Sequence, residues 1–348
     1  MIQMKKSKLI AALVVSTTLV LSACGDNSET KKNDSNTVQE NNPPAQNDNP
    51  GNSPNNGTGG EESKSAQDQL VAEFDALLQE GNKLPKAFDF IEKHADSLNP
   101  ERVSHLLLSV EDAQIAALGS LADRFYEGNT QEQITKIFEI GDSLDELIGK
   151  ATDEKLKALL TETKNSGYQL DPTEGMFNPD PDYRVAAAYA AKATGDVTNY
   201  MQLKAKESAE RSLRDAALVI GWDELLTRAL AAEDFTKQYP DSKRIKEIES
   251  MLTNYTTTIF YGANNTPLFS YDNKQMDPDA QKAYESALKE AVSGAGPLLD
   301  DLKAFMDAAA KNKYKLTEIL WTQPQRTNTS SRKSLEQLRG ELVPLNYE

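Results

Sequence analysis

Cysteine is almost absent from this chain: Cys24 is the only one in 348 residues. A single thiol excludes a disulfide framework and a thiolate zinc site for the folded part. Histidine is nearly as scarce, with His94 and His105 alone. Neither stands in an H-E-x-x-H or a His-x-x-Glu pattern. No G-x-S-x-G occurs, no Ser-x-x-Lys is followed by partner motifs, and no glycine-rich phosphate loop is present. The sequence therefore predicts a non-catalytic protein with no cofactor. Positive charge is also in short supply, with 38 Lys and Arg against 54 Asp and Glu and a net charge of −16. Nucleic-acid binding needs clustered Lys and Arg, so that class is excluded. Long apolar runs are missing as well. The longest, Leu9–Leu21, would make a helix of roughly 20 Å, where a membrane span needs roughly 20 residues.

What is present starts with that run. Lys5, Lys6 and Lys8 precede it and small residues end it, the order found in a secretory signal peptide. Its end, Leu21-Ser22-Ala23-Cys24, resembles the lipobox of bacterial lipoproteins. The resemblance covers about the first 24 residues. It implies cleavage before Cys24 and a diacylglycerol on its sulfur. Two acyl chains suffice for stable membrane anchoring, where one is marginal. Removing residues 1–23 removes three lysines and no acid, taking the net charge from −16 to −19. The partners expected are the membrane, through Cys24, and an envelope protein.

Residues 24–64 are rich in Asn, Asp, Gly, Pro, Ser and Thr. They lack the apolar area that offsets ordering entropy, so they read as a disordered tether. From Ser65 the apolar residues recur at three and four. Leu70, Phe74, Leu77 and Leu78 share one face. Asn99 and Pro100 make an N-cap and first helical position for the stripe Val103, Leu106, Leu107 and Val110, continued by Ile115, Leu118, Leu121 and Phe125. Val197 to Ile220 reads as one long stripe. Leu288 to Met306 closes the set, with a short helix over 331–342. The fold expected is all-α, a multi-helix bundle or a helical array, in two regions at 65–170 and 183–348. Between them, 171–182 holds three prolines and a glycine and reads as a linker. The best strand candidate is Thr256–Tyr261.

The pattern Ala231-x-x-x-Phe235-x-x-x-Tyr239-Pro240-x-Ser242 is similar to the second helix and turn of tetratricopeptide-type repeats. It occurs once, without a 34-residue period. The resemblance implies that Phe235 packs between helices, Pro240 stops the first, and Asp241 or Ser242 caps the next. In envelope lipoproteins such arrays act as scaffolds or peptide-binding surfaces.

Three clusters bear on binding. Glu92, His94, Asp96, Glu101 and His105 offer metal-ligand types on adjacent helices, though surface or interhelix histidines are the simpler reading. Asn178, Asp180 and Asp182 alternate as in a calcium loop, but Tyr183 takes the turn-glycine position. Asp180 as an N-cap before Pro181 explains them better. The loop from Phe260 to Tyr271 gathers Phe260, Tyr261, Phe269 and Tyr271 around Gly262 and Pro267. Those four are the candidate ligand-binding residues, since aromatics give large contact area with a polar tip. The competing reading is a loop packing its own aromatics on the core. The role expected is an extracytoplasmic interaction or scaffold protein. A solute-binding lipoprotein serving a transporter and an enzyme acting on wall polymers are the alternatives.

Overall fold

In the computed structural model, residues 58–80, 83–291 and 296–317 are described. The segment read as a signal peptide, Cys24, most of the segment read as a tether and the expected 331–342 helix lie outside them. α1 (Thr58–Gln79) starts inside the segment read as tether. Its Phe74 is fully buried, with Leu70, Leu77 and Leu78 packed beside it. α2 (Leu84–His94) buries Phe88 and Ile91. α3 (Pro100–Phe125) follows as expected, its Asn99 side chain accepting the Arg102 amide at 3.0 Å. Val103, Leu106, Leu107 and Val110 are wholly buried, which makes α3 a central column of the core. Ile115 continues its period but is exposed. α4 (Thr130–Ile137), α5 (Leu144–Lys150) and α6 (Glu154–Asn165) are short. α5 starts with a reciprocal Ser143–Glu146 capping box, and Asp153 caps α6.

The expected linker is a β-hairpin. β1 (Tyr168–Thr173) pairs antiparallel with β2 (Met176–Pro181), in a register running from Tyr168 opposite Pro181 to Thr173 opposite Met176. Its turn is Glu174-Gly175, both with positive φ, the form that matches strand twist. Prolines are tolerated because both strands of an isolated pair are edges. Helix side chains hold it: Gln131 accepts from the Phe177 amide at 2.9 Å and donates to the Phe177 carbonyl at 2.8 Å. Tyr168 Oη donates to the Gln114 carbonyl at 2.6 Å. At Gly167, φ is +75°, and an added Cβ would lie 2.5 Å from the Phe88 ring, so only glycine fits.

α7 (Tyr183–Ala187) is capped by Asp182, not Asp180. α8 (Gly195–Ala209) carries the Val197, Tyr200 and Met201 stripe, but ends eleven residues before Ile220. Glu207 Oε1 takes the Ser212 amide and hydroxyl, both at 2.8 Å. The chain then makes β3 (Leu213–Arg214) and β4 (Ala217–Leu218) around Asp215 and Ala216 in the left-handed region. The helical spacing over 213–220 was coincidental.

α9 (Trp222–Gln238) and α10 (Ile245–Tyr261) form the helical hairpin that the repeat-like pattern implied. Phe235 is buried, and the break falls at Tyr239-Pro240. Arg244, not Asp241 or Ser242, occupies the cap of α10, without a side-chain cap bond. Thr256–Tyr261 is helix, not strand. The Thr256, Thr257 and Thr258 hydroxyls bond to carbonyls one turn back, at 2.7–3.0 Å, which absorbs the β-branched run into the helix.

β5 (Gly262–Ala263) and β6 (Thr266–Pro267) form a third hairpin. Its Asn265 donates to the Ala216 and Asp215 carbonyls at 2.8 and 2.7 Å, joining two hairpin tips. α11 (Pro278–Glu290), capped by Asp277, and α12 (Pro297–Lys311) complete the described chain. The fold is all-α, with three small two-stranded sheets among the described residues. The described residues fall in one compact unit, Asn55–Glu348. The regions on either side of the first hairpin are bonded to each other, through Ser104 Oγ with Thr194 and Arg244 with Glu111. Among the described residues no helix is long and apolar enough to cross a membrane.

Candidate functional site

The end of α10, the β5–β6 hairpin, the 269–276 turn and α12 enclose a cavity of about 280 Å³. Its walls bring together all four candidate aromatics, Phe260, Tyr261, Phe269 and Tyr271, with Phe305 from α12. The hairpin is possible because Gly262 sits at φ +79°. A Cβ there would lie 2.2 Å from the Leu268 amide nitrogen.

The four aromatics divide by burial. Phe260 is 6% and Phe269 8% exposed, and both meet Phe305 edge-on, with ring centroids 5.4 and 6.2 Å apart. These three rings are floor, and they belong to the core. Tyr271 is 62% exposed at the rim. Its hydroxyl donates to the Asn264 carbonyl at 3.0 Å, fixing the ring across the hairpin. Tyr261 lines the wall between them. The packing reading therefore describes Phe260 and Phe269, while Tyr271 faces the opening.

Lys274 and Leu316 complete the rim. A β-bridge pairs Gln275 with Lys315, and the Leu316 amide donates to the Lys274 carbonyl at 2.8 Å. Sequence reasoning passed over this element. Its pairing joins residues forty apart, and no alternation marks it.

The other two clusters are structural in their contacts. His105 Nε2 lies 2.7 Å from Asp75 Oδ1, and the His94 ring stacks at 4.4 Å on Phe90. Among the described residues no group of three His, Cys, Asp or Glu is placed to hold a metal ion. Asn178 accepts from Tyr126 at 2.8 Å, Asp180 pairs with Arg211 at 2.8 Å, and Asp182 caps α7. Those oxygens are taken up by the fold.

A buried polar hub also escaped the sequence. Glu111 lies on the apolar face of α3 and is 2% exposed. Its Oε1 accepts from Tyr183 at 2.8 Å and from Tyr200, and its Oε2 from Arg244 Nε at 2.9 Å. Burial, then the Glu111 charge, pushes both tyrosine hydroxyls up, so they stay protonated donors. Beside them the Lys204 ammonium sits 4.5 Å from the Tyr183 ring centroid. Burial lowers its pKa against the opposing pull of Glu111 and Asp180. The hub's carboxylate is buried, and it ties α3 to α7, α8 and α10. The signal that could have found it is a carboxylate between Val110 and Gln114, in a core stripe.

Compared with protein-family models, curated proteins and solved structures, the chain matches none.

Proposed function

We propose that this chain is an extracytoplasmic lipoprotein, anchored by diacylglycerol on Cys24, that works as a non-catalytic interaction protein at the cell envelope. The reading of location rests on the Lys5–Cys24 segment. The reading of role rests on one observation: the cavity walled by Phe260, Tyr261, Phe269 and Tyr271 opens at an exposed tyrosine held in place by a hydrogen bond. Concave, largely apolar sites with a few fixed polar groups are where small ligands bind. A ligand captured there and delivered to a membrane partner would be the solute-binding alternative. Both readings share the site and differ in the partner.

Two measurements test the proposal. Fractionation of cells carrying Cys24→Ala should find the protein released or unprocessed. A processed, membrane-bound mutant would sink the lipid anchor. Thermal unfolding of the full chain against sugars, peptides and wall fragments tests the site. A ligand at 100 times its Kd stabilises by about 2.7 kcal/mol, and Tyr271→Ala should abolish the shift. Shifts that persist in Tyr271→Ala would place binding elsewhere.

A further inference from the structure

We infer that the aromatic cavity takes a compact anionic ring, of the uronic-acid class, with Lys274 as its charge partner. The inference rests on the cavity being the ligand site, and adds the ligand's chemistry. Among the described residues, Lys274 is the one charged residue in the cavity's lining. Lys274 is exposed and makes no ion pair with any described residue, Asp272 two positions away included. The strand paired to it adds Lys313 and Lys315, both exposed and both without an ion pair among the described residues. The three lysines sit on the two segments joined by the Gln275–Lys315 bridge, with Glu285 bonded to Tyr314 between two of them.

The backbone holds this arrangement at a cost. Lys274, Lys313 and Tyr314 have φ of 60°, 54° and 56°, a region that non-glycine residues avoid. They are half of the non-glycine residues with positive φ among the described ones. The conformation is over-determined by the Leu316 amide on the Lys274 carbonyl, the Met276 amide on the Tyr314 carbonyl at 2.9 Å, and Gln275 Nε2 on the Lys313 carbonyl at 3.0 Å.

Size and chemistry narrow the class. About 280 Å³ lies at the small end of ligand sites, below about 300 Å³, so one ring fits and a polymer stretch does not. Over the buried apolar floor of Phe260, Phe269 and Phe305, the exposed Tyr271 ring at the rim supplies the aromatic surface for the apolar side of a sugar. An ammonium is a point charge without the planar fork of arginine, suited to a single carboxylate at the rim.

The test is calorimetric titration of the full-length protein with glucuronate, glucose and inorganic phosphate at low and high salt. Glucuronate should bind, and glucose about tenfold more weakly, the equivalent of about 1.4 kcal/mol. High salt should narrow the gap. Lys274→Asn removes the charge with a side chain that tolerates the left-handed backbone, and should bring glucuronate to the level of glucose. Lys274→Arg should keep the preference. Equal binding of glucuronate and glucose, or a preference unchanged in Lys274→Asn, overturns the inference while leaving the cavity a ligand site. Phosphate binding as tightly as glucuronate overturns the ring requirement. If none of the three binds, the inference fails, and the broader ligand panel decides separately whether the cavity binds anything.

Discussion

Arg244 Nε lies 2.9 Å from Glu111 Oε2, although 133 residues separate the two in the chain. Arg244 also donates to Asp112 at 2.5 Å and to the Leu108 carbonyl at 3.2 Å. One guanidinium thus fastens the start of α10 to the middle of α3. Removing Glu111 takes the buried partner of Arg244 but leaves it the exposed Asp112, so the cost should fall below the about 3–5 kcal/mol of a wholly unpaired buried charge. Glu111→Ala should show that loss in chemical denaturation. It also strips the acceptor from the Tyr183 and Tyr200 hydroxyls. Glu111→Gln keeps an acceptor oxygen and should cost less. Equal stability of Glu111→Ala and the parent would mean that the hub contributes nothing net.

The cavity yields a prediction that splits its own residues. Phe269 is 8% exposed and packed on Phe305, so Phe269→Ala should lower stability by about 3–5 kcal/mol. Tyr271 is 62% exposed. Its replacement by alanine should stay within about 0.5 kcal/mol, apart from the Asn264 hydrogen bond. Thermal melts of the two variants side by side decide this. Similar losses in both would mean that Tyr271 is a core residue and the cavity has no aromatic rim.

Acid should act through Arg124 and Glu162, which join α3 to α6 by two bonds of 2.7 Å. The hydrogen bond from Arg124, and then its charge, holds the Glu162 carboxyl below its ordinary value. A depressed carboxyl contributes stability that is present above the unfolded value of about 4.3. The contribution is lost as pH falls through the lower, folded value. Arg124→Met should therefore be destabilised at pH 7, and the difference from the parent should vanish once the pH lies below that folded value. Urea midpoints at the two pH values give the answer. A difference that survives at low pH would mean that Arg124 acts by packing and not by charge.

Those three sites were unequally legible in the sequence. The helices that carry them were plain, because Asn99-Pro100 and the stripes of α3, α9 and α10 are local signals of capping and period. The four cavity aromatics were legible as a cluster, since they lie within twelve residues around Gly262 and Pro267. Their division into floor and rim was not, because burial of Phe269 depends on Phe305, thirty-six residues on. The β1–β2 hairpin was hidden by its prolines. What holds it is Gln131 and the Gln114 carbonyl, supplied by helices earlier in the chain. The β3–β4 turn was hidden for the opposite reason, since its apolar residues continue the spacing of α8 by chance.

The first hairpin offers a controlled pair of substitutions. Gly167 and Gly175 share nearly the same backbone, with φ of +75° and +77°. An alanine at either must adopt a left-handed conformation, worth roughly 1–2 kcal/mol. At Gly175 nothing lies within 4 Å of the added carbon, so that backbone cost is the whole effect. At Gly167 the carbon would also meet Phe88 at 2.5 Å and Gln114 Nε2 at 2.7 Å. Gln114 there donates to the Ser166 and Gly167 carbonyls at 3.0 and 2.9 Å. Displacing it strands buried acceptors, an added cost of about 1–3 kcal/mol. Gly167→Ala should therefore destabilise by clearly more than Gly175→Ala when both are melted in parallel. Equal losses would mean that the Phe88 ring gives way freely, and that the α6–β1 junction is not the tight contact between helix and hairpin that its distances describe.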